Sequence, residues 1–120
     1  MRGFTERSGR RLVDYLNSAE VDYRTMGTLT YRGDHWRSNC APPDAKRHLD
    51  ALVKRLKRKF HVEQGDQFAL VWFIEFTASG VPHFHFFCTE FIPYKWLALA
   101  WFEIVEDADV RHLSAGTRIE

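Results

Sequence analysis

The chain switches between two hydrophobic periods, and the switches mark its elements. Over residues 7 to 18 (RSGRRLVDYLNS), Leu12, Tyr15 and Leu16 fall at helical spacing; Gly9 weakens the pattern, so a short helix is expected. Residues 24 to 32 (RTMGTLTYR) are rich in Thr, Leu and Tyr and stop at Gly33-Asp34, which reads as a first strand, with a loop from Gly33 to Pro43. Pro42-Pro43-Asp44 opens a helix to about Phe60, because Pro is tolerated in a first turn and Asp suits the positive end of the helix dipole. Leu49, Leu52, Val53, Leu56 and Phe60 form one apolar stripe, with Arg47, Lys54 and Arg58 opposite.

After Gln64-Gly65-Asp66 the period changes. Residues 68 to 76 (FALVWFIEF) are a nearly continuous apolar run of strand length, as expected of a central strand covered on both faces. Thr77-Ala78-Ser79-Gly80 turns the chain, and residues 81 to 89 return as the second arm of an antiparallel hairpin. Residues 93 to 107 (PYKWLALAWFEIVED) form a helix opened by Pro93. Its apolar arc, Trp96, Leu97, Ala100, Trp101, Ile104 and Val105, is wide: the helix is either covered on two sides or offered to a protein partner. Residues 110 to 113 and 117 to 119 read as two short strands around Ser114-Ala115-Gly116. The sum is an α+β fold in one domain over residues 1–120: an antiparallel sheet of four or five strands with helices mainly on one face.

Candidate chemistry concentrates in the hairpin. Side chains alternate along a strand, so His83 and His85 share one side while Phe84 and Phe86 face the core. A His-hydrophobe-His pair alone is a weak signal, since most strand histidines are only half-buried and hydrogen-bonded. Glu75 strengthens it, because an acid inside an apolar central strand is costly to bury without a partner, and the next strand offers two imidazoles. Two nitrogens and one carboxylate leave coordination positions open and suit Mg or Mn better than a structural zinc. His35, His48, His61 and His112 have no ligating spacing and read as surface or core residues.

Composition narrows the class. The 120 residues are 45% apolar and 15% aromatic, with ten Phe and four Trp, enough for one aromatic-rich core. A net charge of +1 advertises no nucleic-acid partner, but the charge is segregated along the chain. Arg2, Arg7, Arg10, Arg11 and the run Lys54, Arg55, Lys57, Arg58, Lys59 are basic, while Glu103, Glu106, Asp107 and Asp109 make the late part acidic. The basic helix face reads as a solvated surface before a phosphate stripe, and the N-terminal arginines as either a soluble terminus or a DNA arm. Cys40 and Cys88 make no disulfide framework, which points to an intracellular protein. No apolar signal region and no run of about 18 apolar residues is present, so neither secretion nor a membrane partner is expected.

The stretch Trp72-Phe-Ile-Glu75-Phe-Thr-Ala-Ser-Gly80-Val-Pro82-His83-Phe-His85 resembles the metal motif of HUH endonucleases, in particular rolling-circle replication initiators of phages and plasmids. The resemblance implies a ferredoxin-like or RRM-like fold and a divalent ion, Mg or Mn, held by Glu75, His83 and His85. Thr28-Leu29-Thr30-Tyr31 resembles the family's first motif, which helps recognise DNA, so Thr28, Thr30, Tyr31, Arg32 and Trp36 are candidate contacts to single-stranded or hairpin DNA. Tyr31 and Trp36 either stack unpaired bases or simply pack. Residues 101 to 105 and 112 to 116 resemble what usually follows. The implied setting is the cytoplasm of a bacterial host.

One departure bears on activity. The family's nucleophilic tyrosine lies on a helix downstream of the metal hairpin, with a lysine a few positions away, and no tyrosine follows Tyr94 here. Tyr94-Lys95 comes directly after the metal strand, on the wrong helix, so no catalytic residue is assigned within these 120 residues. Two readings follow: a DNA-nicking replication initiator whose tyrosine lies beyond residue 120, or a non-catalytic derivative acting as a protein-binding module or inhibitor, for example against a host defence complex. A reading frame continuing into a Tyr-x-x-Lys helix favours the first, and a stop at residue 120 the second. A ferredoxin-like domain with an accidental His-Phe-His is the blandest option.

Overall fold

The architecture follows from one sheet that buries a single face. A computed structural model describes residues 22–120, so the helix expected over residues 7 to 18 and the N-terminal arginines lie outside the described residues. The strands are β1 (Thr25–Thr30), β2 (Leu70–Phe76), β3 (Pro82–Cys88) and β4 (Thr117–Ile119). The helices are α1 (Gly33–Asn39), α2 (Pro42–Lys59), α3 (Tyr94–Val105) and α4 (His112–Ala115). The strand order is β2-β3-β1-β4, and every pairing is antiparallel.

Burial alternates strictly along β3: Pro82, Phe84, Phe86 and Cys88 are buried, and His83, His85 and Phe87 are half-buried. The buried set packs under α2 and α3, whose Leu49, Leu52, Leu56, Leu97 and Trp101 join Leu29, Phe84 and Phe86 in the core. Trp101 anchors this layer, donating from Nε1 to the Thr30 carbonyl at 2.7 Å while its ring meets Phe84 and Tyr31 edge-on. Gly27 lies opposite Phe86 on this face, where a Cβ would stand 2.5 Å from the Arg118 carbonyl oxygen and 2.8 Å from the Phe86 ring.

Helix α2 begins as expected, with Pro42 and Pro43 in its first turn and the Asp44 carboxylate accepting the Ala41 amide at 2.8 Å. The wide arc of α3 is covered twice, by the sheet and by α2 and α4.

Four expectations are corrected. The segment after Gly33 is helical: α1 is a poor helix former by sequence, held by burial of His35 and Trp36, with His35 Nε2 2.7 Å from the Val105 carbonyl oxygen. Residues 112 to 115 are a helical turn because Gly116 and Ala115 bond back to His112 and Arg111. Strand β2 lies at a sheet edge. Its apolar run comes from Val71 and Phe73, which look onto the open face beside Phe87 and His85, while Trp72 and Ile74 pack on the core side. Finally, Glu75 is not a buried acid, its side chain being 53% exposed, so the cost-of-burial argument for its partner does not hold.

Candidate functional site

The turn between β2 and β3 sets the site. The Thr77 amide donates to Val81 O at 2.9 Å, the Gly80 amide to Thr77 O at 2.9 Å, and the Val81 amide to Thr77 Oγ1 at 3.1 Å. Gly80 supplies the left-handed backbone this closure needs, at φ +83°. The turn fixes Phe76 opposite Pro82, and therefore Glu75 opposite His83 and Phe73 opposite His85. A slip of one residue would send both histidines into the core.

Extending the register gives two rows across the open face. One runs Phe73, His85, Thr28, Arg118; the next runs Glu75, His83, Thr30. His85 is held on three sides: Nε2 is 3.2 Å from Glu75 Oε1, Nδ1 is 3.4 Å from Thr28 Oγ1, and the Phe73 ring stacks on it at 4.9 Å with a 19° interplanar angle. His83 faces Glu75 across the pair. Burial, reinforced by neighbouring His85 and opposed by Glu75, lowers its basicity and favours the neutral imidazole that a metal ligand needs.

Glu75, His83 and His85 therefore share one face, and the Glu75 and His85 side chains touch. Among the described residues, however, no group of three His, Cys, Asp or Glu side chains is gathered as a metal-holding cluster. The donor set nonetheless fits a divalent cation: an accessible carboxylate, a neutral imidazole, and a second imidazole whose Nδ1 is engaged by a hydroxyl as metal-bound histidines require.

The DNA candidates divide. Thr28 and Thr30 lie on the open face beside the histidines. Tyr31 and Trp36 are core residues, 4% and 7% exposed, with rings 4.7 Å apart, and burial pushes the Tyr31 phenol well up. Tyr31 Oη is 2.9 Å from His48 Nδ1. Base stacking by these two rings is thus corrected, because their faces are spent on packing. Arg32 is pinned by Asp107, donating to both carboxylate oxygens at 3.2–3.3 Å. Tyr94 lies in the helix layer and donates its hydroxyl to the Ser114 carbonyl at 2.9 Å, away from the histidine face.

Three residues went unassigned from sequence. Phe73 was hidden in an apolar run, and Arg118 sits on a strand too short for its facing to be read. Asp107 was counted only as part of an acidic segment, yet its carboxylate is fully buried and accepts the Asp109 amide at 2.8 Å besides Arg32.

An α+β domain whose antiparallel sheet keeps one face open, with an acid and two histidines in adjoining rows, is the class of protein that the fold and site define. The family model for the replication-associated protein ORF2 group matches residues 24–116, from just before β1 to just past α4, and the chain belongs to that family. No curated protein and no solved structure matches the chain. Among the described residues no helix is long and apolar enough to cross a membrane.

Proposed function

We propose that this chain is the metal-binding part of an HUH-type replication initiator, which engages single-stranded or hairpin DNA on the open sheet face for rolling-circle replication. The observation that carries this reading is the row geometry: Glu75 and His85 in contact, and His83 directly opposite Glu75. A divalent ion, Mg or Mn, held by Glu75, His83 and His85 would supply Lewis-acid polarisation of a scissile phosphate.

The chain's own residues orient and exclude. Phe73 and Thr28 hold the His85 ring, and the alternation of β3 keeps both imidazoles out of the core. Arg118, exposed on the same face and level with Thr28, offers a fixed positive charge to a neighbouring phosphate. Thr28 and Thr30 bring hydroxyls to that surface. The nicking nucleophile would be a tyrosine hydroxyl not among these 120 residues, attacking phosphorus to give a 5′-phosphotyrosyl bond and a free 3′-hydroxyl.

The test is fluorescence anisotropy with a single-stranded oligonucleotide, with manganese and with chelator, followed by denaturing electrophoresis. Binding is expected to strengthen with manganese, and no covalent adduct is expected. Metal-independent binding, or an adduct mapped to Tyr94, would contradict the reading.

A further inference from the structure

We propose that Thr28 is a positioning residue for His85 whose hydroxyl reverses its hydrogen bond when a divalent cation binds. This rests on the metal reading above. It gives Thr28 a role distinct from contact with DNA.

The inference begins with what each neighbour of His85 can do. A Glu75 carboxylate only accepts, so with no cation present the neutral ring carries its proton on Nε2, which donates to Glu75 Oε1 at 3.2 Å. The bare Nδ1 must then accept, and the group beside it, at 3.4 Å, is the Thr28 hydroxyl. A cation needs the lone pair of Nε2. The ring proton must therefore leave Nε2 for solvent, and another must arrive at Nδ1, with no net gain or loss. Thr28 Oγ1 now accepts from Nδ1–H.

A hydroxyl serves both states by rotating about its C–O bond, whereas a carboxylate or backbone carbonyl accepts only and would hold the ring in one tautomer. The framework is otherwise fixed. Thr28 sits in β1 between β3 and β4, paired with His85 on one side and Arg118 on the other, and β-branching restricts its χ1. Phe73, stacked on the opposite strand, holds the plane of the ring, so the tautomer changes while the ring stays in place.

The experiment uses the 120-residue chain, with Thr28→Val to remove the hydroxyl and Thr28→Ser to retain it. Imidazole nitrogen-15 shifts in mildly alkaline, metal-free buffer are expected to show His85 protonated at Nε2, moving to Nδ1 on addition of magnesium. Calorimetric manganese affinity is expected to fall about tenfold or more in Thr28→Val, as is usual for loss of a partner to a metal ligand, and to return towards the parent value in Thr28→Ser. Parent-like affinity in Thr28→Val, where His83→Ala with His85→Ala abolishes binding, overturns the role of Thr28 and leaves the metal reading intact. A parent chain that binds no manganese removes the metal reading and this proposal with it. Metal-free His85 already protonated at Nδ1 contradicts the reversal, and that measurement needs no variant to fold.

Discussion

Asp107 and Glu75 show how differently two carboxylates are used in one small protein. The Asp107 side chain is 0% exposed. Burial alone would push its carboxyl up, but the Asp109 amide and the Arg32 guanidinium together hold it below the ordinary carboxylate range. That is a structural carboxylate, fastening α1's approach to the loop after α3. Replacing it with alanine leaves Arg32 and the Asp109 amide without this acceptor, and Asp107→Ala is expected to cost about 2 kcal/mol in urea denaturation. Glu75 is the reverse case, half-exposed with His85 beside it, and its removal is expected to change folding stability little. The facing of His83, His85, Phe84 and Phe86 was legible in the sequence because alternation is a local rule. The support from Thr28 and Phe73 was not, because it depends on which strands are neighbours and in what register.

At the scale of elements, the hairpin is the part on which the site depends, and its turn is the weak link. Gly80 at φ +83° has open space around it, so a side chain there meets backbone strain and no clash. Gly80→Val is therefore expected to lower stability by about 1–3 kcal/mol, read as a lower thermal midpoint, without shifting the register of β2 against β3. An unchanged midpoint would show that the turn does not need the left-handed backbone. Helices α2 and α3 were legible from apolar period, proline and acid placement. Strand β2 was misplaced at the centre of the sheet because its open-face residues are apolar too, and strand order is a property of the whole chain. Helix α1 was missed because tertiary burial of His35 and Trp36, and no local propensity, makes it helical.

Across the molecule, the charge segregation seen along the chain is largely undone by folding. Asp107 meets Arg32, Asp109 meets Arg111 at 2.6 Å, and Glu103 meets Arg55 at 2.9 Å. What remains is a dependence on pH. Burial lowers the basicity of His48, His83 and His112, so near an ordinary histidine pKa of about 6.5 the unfolded chain binds protons that the folded one refuses. Stability must then fall as pH drops. The thermal midpoint in chelator is expected to decline from pH 7 to pH 5, with further loss below about pH 4 as Asp107 and Asp109, both held low, take up protons. A midpoint flat between pH 7 and 5 would mean that these histidines stay accessible to protons in the folded state.

The family assignment stands on residues 24–116, while the proposed chemistry stands on three side chains in two rows. The direct measurement is calorimetric titration of manganese into the parent chain and into the double variant His83→Ala with His85→Ala, both shown to be folded. Saturable binding in the parent that disappears in the variant is the expected result; equal binding in both, or none in the parent, would contradict a metal centre on this face.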